Sequence, residues 1–149
     1  MAKRILALMM LLCLAAAVCC ADGSPDALLE KALRISQDSS ELIKMTEDDM
    51  IDIIGIEPEY FTDYAYLTGK DTSVGRELII VRATDENAAR LVVDRLESYR
   101  EQRMRCTRNY YALAYRALSE SEVLQDSLLI VLSVGSPDPR EPQLLLQEE

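Results

Sequence analysis

Glu77-Leu78-Ile79-Ile80-Val81-Arg82-Ala83 and Leu128-Leu129-Ile130-Val131-Leu132-Ser133-Val134 are the two most apolar runs outside the N-terminus. Each is seven residues long and rich in β-branched side chains, the signature of a buried strand. Between them, Asp85–Arg108 repeats apolar residues at helical spacing. Ala89, Val92, Val93, Leu96 and Tyr99 recur at three- and four-residue steps among arginines and glutamates, with Thr84 or Asp85 as the cap. Apolar strand, charged helix, apolar strand: this order makes a small α+β core.

Outward from the core, Tyr60–Leu67 (YFTDYAYL) reads as a strand that pairs with Glu77–Ala83 across a loop bracketed by Gly69 and Gly75. Strand parity puts Tyr60, Thr62, Tyr64 and Tyr66 on one side and Phe61, Asp63, Ala65 and Leu67 on the other. Tyr110–Leu118 reads as a helix or an extended corner. Ser121–Leu124 and Leu128–Val134 form a second hairpin around Gln125-Asp126-Ser127. Nearly every residue of that last strand is apolar, which places it centrally.

Two shorter helices precede this core. Ser24-Pro25-Asp26 starts the first, with Leu28, Ala32 and Ile35 on one face. Thr46 caps the second, Asp49 reaches back to the cap, and Gly55 closes it. The expected fold is α+β: two β-hairpins in a four-stranded, mainly antiparallel sheet, packed by one long helix. Pro137, Pro139 and Pro142 mark residues 136–149 as an extended tail, with Leu144–Leu146 free to dock. Residues 22–135 form the single domain.

The first 21 residues read as a signal peptide. Met1–Arg4 is short and basic, and Ile5–Val18 is an unbroken apolar run of the length of a signal core, short for a spanning helix. Cys19 and Cys20 are the lipidation candidates, which would tether the protein to the membrane. The competing end is cleavage after Ala21, giving a secreted chain, and an uncleaved anchor comes third. The expected location is extracytoplasmic, at the cell surface or membrane-anchored. Cys13, Cys19 and Cys20 belong to this leader, so Cys106 alone remains in the folded part and no disulfide framework exists.

Formal charge is −10, which opposes binding to nucleic acid. The charge is segregated. Asp22–Thr72 carries a net −9, Arg76–Arg116 a net +3, and Ala117–Glu149 a net −6. Such blocks favour internal ion pairing over a polyanion site. Arg100, Arg103 and Arg108 crowd the end of the long helix, where cations suit its dipole, and they are the candidates for anion contacts.

Histidine and tryptophan are absent. Ser-His-Asp and Cys-His catalysis and ordinary zinc ligation therefore lack a base or a ligand. The acids Glu47, Asp48, Asp49 and Asp52 lack the alternation, central glycine and terminal glutamate of a calcium loop. No catalytic residue, metal or cofactor is assigned. Tyr60, Tyr64 and Tyr66 are the candidate binding surface, although tyrosines on a strand more often cover a sheet. Asp63 and Glu77 are the pair a carboxylate-dependent hydrolase or lyase would use if they faced each other across the first hairpin.

The order of elements resembles the uncharacterised domain of unknown function 4358, found in small secreted proteins and lipoproteins of clostridia and related bacteria. The shared features are the signal, an acidic segment ending Ile54-Gly55-Ile56, the Glu77-led strand, the Arg95-Leu96-Glu97 helix, and the spaced pair Tyr110 and Tyr115. The resemblance covers roughly Ala27–Val134. Ala112 stands where the family has a proline, and a proline-rich tail replaces its closing helix. The resemblance implies no established activity. The expected function is a noncatalytic domain binding a protein, peptide or cell-envelope component. The alternatives are the carboxylate enzyme and an assembly subunit of an envelope complex.

Overall fold

The two apolar runs pair with each other, from Glu77 opposite Val134 to Arg82 opposite Leu129. A computed structural model describes residues 26–147; the leader, Cys19, Cys20 and the Ser24-Pro25 helix start lie outside them. The elements run α1 (Ala27–Ile35), β1 (Leu42–Lys44), α2 (Glu47–Asp49), β2 (Phe61–Gly69), β3 (Glu77–Ala83), α3 (Glu86–Thr107), α4 (Ala112–Glu120), β4 (Val123–Asp126), β5 (Leu129–Val134) and α5 (Glu141–Leu146). The fold is α+β, with a five-stranded antiparallel sheet in the order β1-β2-β3-β5-β4.

Strands β3 and β5 are covered on both faces, which explains why their sequences do not alternate. On one face Ile79, Val81, Ile130 and Leu132 meet Ala88, Val92, Leu96 and Tyr99 of α3. On the other, Leu78, Ile80, Leu129 and Val131 meet Leu28 and Ala32 of α1 and Leu145 of α5. Each large side chain buried this way contributes about 1.5–3 kcal/mol. Asp85 caps α3 through bonds from the Asn87 and Ala88 N–H groups, at 2.8 and 2.9 Å.

The structure corrects the expected four strands to five. The addition, β1, is three residues long, too short to show a period in sequence, and pairs with the end of β2. The second N-terminal helix is one turn, Glu47–Asp49, continued by a π-helical turn, Met50–Ile54. Its Thr46–Asp49 capping box is present, and Gly55 ends it at φ 81°. One long helix was expected to pack the sheet, but α1 and α5 cover the second face.

The expected extended tail is also corrected. Residues 141–146 form α5, with Glu141 and Leu145 buried. Pro142 sits in its first turn, where a missing N–H breaks no helical bond. Proline there starts a helix instead of preventing one.

Strand parity in β2 holds except at its start. The register shifts between Phe61 and Asp63, leaving Thr62 as an extra residue. Phe61 therefore joins Tyr64 and Tyr66 on the α3 side, its ring 5.2 Å from that of Tyr64.

Candidate interaction surface

Two consecutive charges, Arg76 and Glu77, stand at the entry to β3, both buried. Alternation sends them to opposite faces. Toward α3, Glu77 accepts from the Tyr99 hydroxyl at 3.0 Å and pairs with Arg103 at 2.9 Å. The Tyr66 hydroxyl lies 3.4 Å from that of Tyr99. Burial raises the Glu77 carboxyl above its ordinary range, and Arg103 works against that shift. Burial also pushes the Tyr66 phenol up to about 12, and burial together with the Glu77 charge raises Tyr99 further. Both tyrosines are thus fixed as neutral hydroxyls at ordinary pH. Glu77 Oε2 and Arg103 Nε are buried without a hydrogen-bond partner.

Toward α5, Arg76 meets Glu141 at 2.8 Å and Asp38 at 2.9 Å. All three guanidinium nitrogens donate, the third to Ser133 Oγ and the Val134 and Glu77 carbonyls. Ser133 and Ser36 complete the shell by donating to Glu141. Charges this well paired tie the termini to the sheet, and they leave little capacity for a ligand.

The residues singled out in sequence are dispersed. Tyr66 is 2% exposed and Tyr60 and Tyr64 pack against the core, so the three form no open binding face. Arg100 is held by Glu97 and by the Leu118 and Ser121 carbonyls, Arg103 by Glu77, and only Arg108 of the three is exposed. They make no common anion pocket. Asp63 and Glu77 do not face each other. Asp63 lies opposite Arg82 and Glu77 opposite Thr68, toward the two ends of the hairpin and on different faces. Asp63 instead accepts the Leu28 N–H at 3.1 Å, supplying α1 with a cap that Asp26 does not. Burial raises its carboxyl, and the Leu28 bond partly offsets this.

The exposed apolar surface gathers elsewhere. Twelve residues of α3 separate Glu86 from Tyr99, and the helix then continues to Thr107. The chain turns there and returns as α4, which seats Ala114 and Leu118 against the body. The resulting corner presents Tyr110 (82% exposed), Tyr111 (50%) and Leu113 (64%) to solvent. A groove of about 390 Å³ opens beside it, with Val74, Leu113 and Ala117 on one side and Pro139, Pro142 and Gln143 on the other. Sequence reasoning placed Tyr110 at the start of a helix or extended corner and in a family pattern, but not on a binding surface. The available signal was the polar run Arg105-Cys106-Thr107-Arg108-Asn109, which marks where α3 leaves the sheet.

Among the described residues, no group of three or more cysteine or acidic side chains is placed to hold a metal ion. No described helix is long and apolar enough to cross a membrane.

Architecture and surface together define a small α+β domain, with helices on both faces of an antiparallel sheet and internally neutralised buried charge. The family described as Domain of unknown function (DUF4358) matches residues 36–135, more than half of the chain, and the chain belongs to that family. Both α1 and α5, which cover the second sheet face, lie outside the matched residues. No curated protein and no solved structure matches the chain.

Proposed function

We propose that this chain is a noncatalytic, extracytoplasmic, membrane-tethered domain that binds a protein, peptide or cell-envelope component through the Tyr110–Leu113 corner and its groove. One observation carries the reading. Val74, Tyr110, Tyr111 and Leu113 are half of the large apolar side chains exposed among the described residues, and they gather at this one end. Exposed aromatics at a protruding turn beside a groove are the composition of a docking surface. The leader supports export, and Cys19 or Cys20 supplies the tether. A carboxylate enzyme is disfavoured because Asp63 and Glu77 are committed to separate structural partners.

Affinity purification of the full chain from solubilised membranes tests this. A discrete component should co-purify with the wild type and be lost with Y110A/Y111A/L113S, whose thermal stability should be unchanged. Recovery of the protein alone in several detergents would overturn the reading. Replacing Cys19 and Cys20 with serine should release the protein from membranes; continued fractionation with them would rule out lipidation as the anchor.

A further inference from the structure

The buried cluster under α3 supplies a control on the corner, a reading that rests on the corner being the interaction surface. Glu77 Oε1 takes both the Tyr99 hydroxyl and the Arg103 guanidinium, at 3.0 and 2.9 Å, while Glu77 Oε2 has no partner. Ionised, that oxygen carries charge into a site with no donor for it, which favours a neutral carboxyl. The groups that face Glu77 are few. From α3 come Tyr99 and Arg103, and from β2 come Tyr66, behind Tyr99, and Thr68, opposite Glu77 in register. β5 brings Val134 and α4 brings Leu118 to the same core, neither of them ionisable. Asp49, from the segment before β2, acts on Tyr66, and less than Arg103 does. Arg103 is thus the charge that balances Glu77, and burial raises the carboxyl against it.

Arg103 differs from Glu77 in having somewhere to go. Its side chain is 35% exposed, against 6% for Glu77. Once its counter-charge is neutral, the guanidinium gains by turning to water, and the tie between α3 and the sheet opens. The same residue anchors the corner through the backbone. Its carbonyl accepts the Thr107 hydroxyl at 2.9 Å, and the Thr107 carbonyl accepts the Tyr110 and Tyr111 N–H groups at 3.1 and 2.9 Å. We propose that Glu77 and Arg103 form a proton-operated latch: a proton taken from solvent by Glu77 frees Arg103 and loosens the turn at Thr107, and with it the Tyr110–Leu113 corner. Arg100, held by Glu97 and by the Leu118 and Ser121 carbonyls, keeps the body of α3 in place. The latch therefore acts locally. The contribution of Glu77 to global stability moves the other way, since neutralising a buried carboxylate favours the folded state. Opposed changes of local order and overall stability distinguish a latch from acid unfolding.

Nuclear magnetic resonance on the full chain in a non-ionic detergent tests this. The Glu77 carboxyl carbon should titrate above the ordinary glutamate value of 4.5. Across that titration, amide protection at residues 104–111, corrected for intrinsic exchange, should fall about fivefold as pH falls, the scale of a partly exposed ion pair. Protection in β3, relative to that in Glu77→Gln, should not fall. The same variant keeps an oxygen for Tyr99 but no charge for Arg103, so it should show the lowered protection at residues 104–111 already at about pH 7, with no step as pH changes. Partner capture should follow: strong at neutral pH and weak in acid for the wild type, weak at both for Glu77→Gln. A Glu77 that titrates at or below its ordinary value overturns the proposal. So does a raised titration with unchanged protection at residues 104–111, a result that needs no variant to read. Capture that is equal at both pH values, yet lost with Y110A/Y111A/L113S, overturns the latch and keeps the corner. Capture of nothing at either pH counts against the corner alone, and the carboxyl and amide data still decide the latch.

Discussion

Arg76, the residue just before β3, and Glu77, the first residue of β3, have their charges neutralised on opposite faces of the sheet, by Glu141 at 2.8 Å and by Arg103 at 2.9 Å. The Arg76 and Glu77 side chains are 5% and 6% exposed. Burying charge is costly, and pairing offsets that cost only while both partners are present.

Glu141→Leu leaves the Arg76 guanidinium with Asp38 as its remaining carboxylate and should cost about 3–5 kcal/mol. Arg76→Met combined with Glu141→Leu should cost clearly less than Glu141→Leu alone, because no buried charge is then stranded on that face of the sheet. Urea denaturation of both variants measures this. A double variant as unstable as the sum of its singles would show that the pair is not the organising contact.

Glu77 makes stability depend on pH in a defined direction. Its folded carboxyl is raised by burial above its ordinary value of 4.5, so the folded state holds the proton more tightly than the unfolded chain. Its contribution is therefore most favourable below the ordinary value and is lost as pH rises through the raised one. Asp49 acts oppositely: its Thr46 bonds lower it, so its contribution fades as pH falls. Subtracting the pH–stability curve of Glu77→Gln from that of the wild type isolates the first effect. The difference should slope downward from about pH 4.5 upward; a flat or rising difference would contradict the burial argument.

Ser127 turns the β4–β5 hairpin at φ 52°, a left-handed conformation that penalises a side chain. Ser127→Gly should stabilise the protein by about 0.5–1 kcal/mol, net of glycine's greater freedom when unfolded. An unchanged or lower melting temperature would mean that the Ser127 side chain contributes something its exposed position does not suggest.

Gly75 lies under α4 with φ 73°, and a Cβ placed there would fall 2.6 Å from Ala114 Cβ and 2.7 Å from its Cα. Gly75→Ala should cost about 1–3 kcal/mol and displace α4. The corner is built on α4, so partner capture should weaken together with stability. Retention of wild-type stability would mean that α4 is not seated on this glycine.

The core was legible because β3 and β5 are doubly buried and the long helix carries one strong stripe. The capping box at Thr46 and Asp49 was legible too, since its partners are three residues apart. Features joining distant residues were not. Arg76 and Glu141 are 65 positions apart, and nothing near either announces the other. Three prolines masked α5 because the same residue type ends a helix in one place and opens one in another. The tyrosines show the same limit: Tyr66 and Tyr110 are alike in sequence, and only the course of α3 decides that it covers one and projects beside the other.

A single inserted residue in β2 lets one strand serve two layers. Without Thr62, alternation would carry Phe61 away from the α3 side or turn Asp63 away from α1. Length at this point is therefore a tighter constraint than identity: many side chains would be accommodated at position 62, whereas a deletion there would unseat an aromatic contact on one face or unfasten a helix on the other.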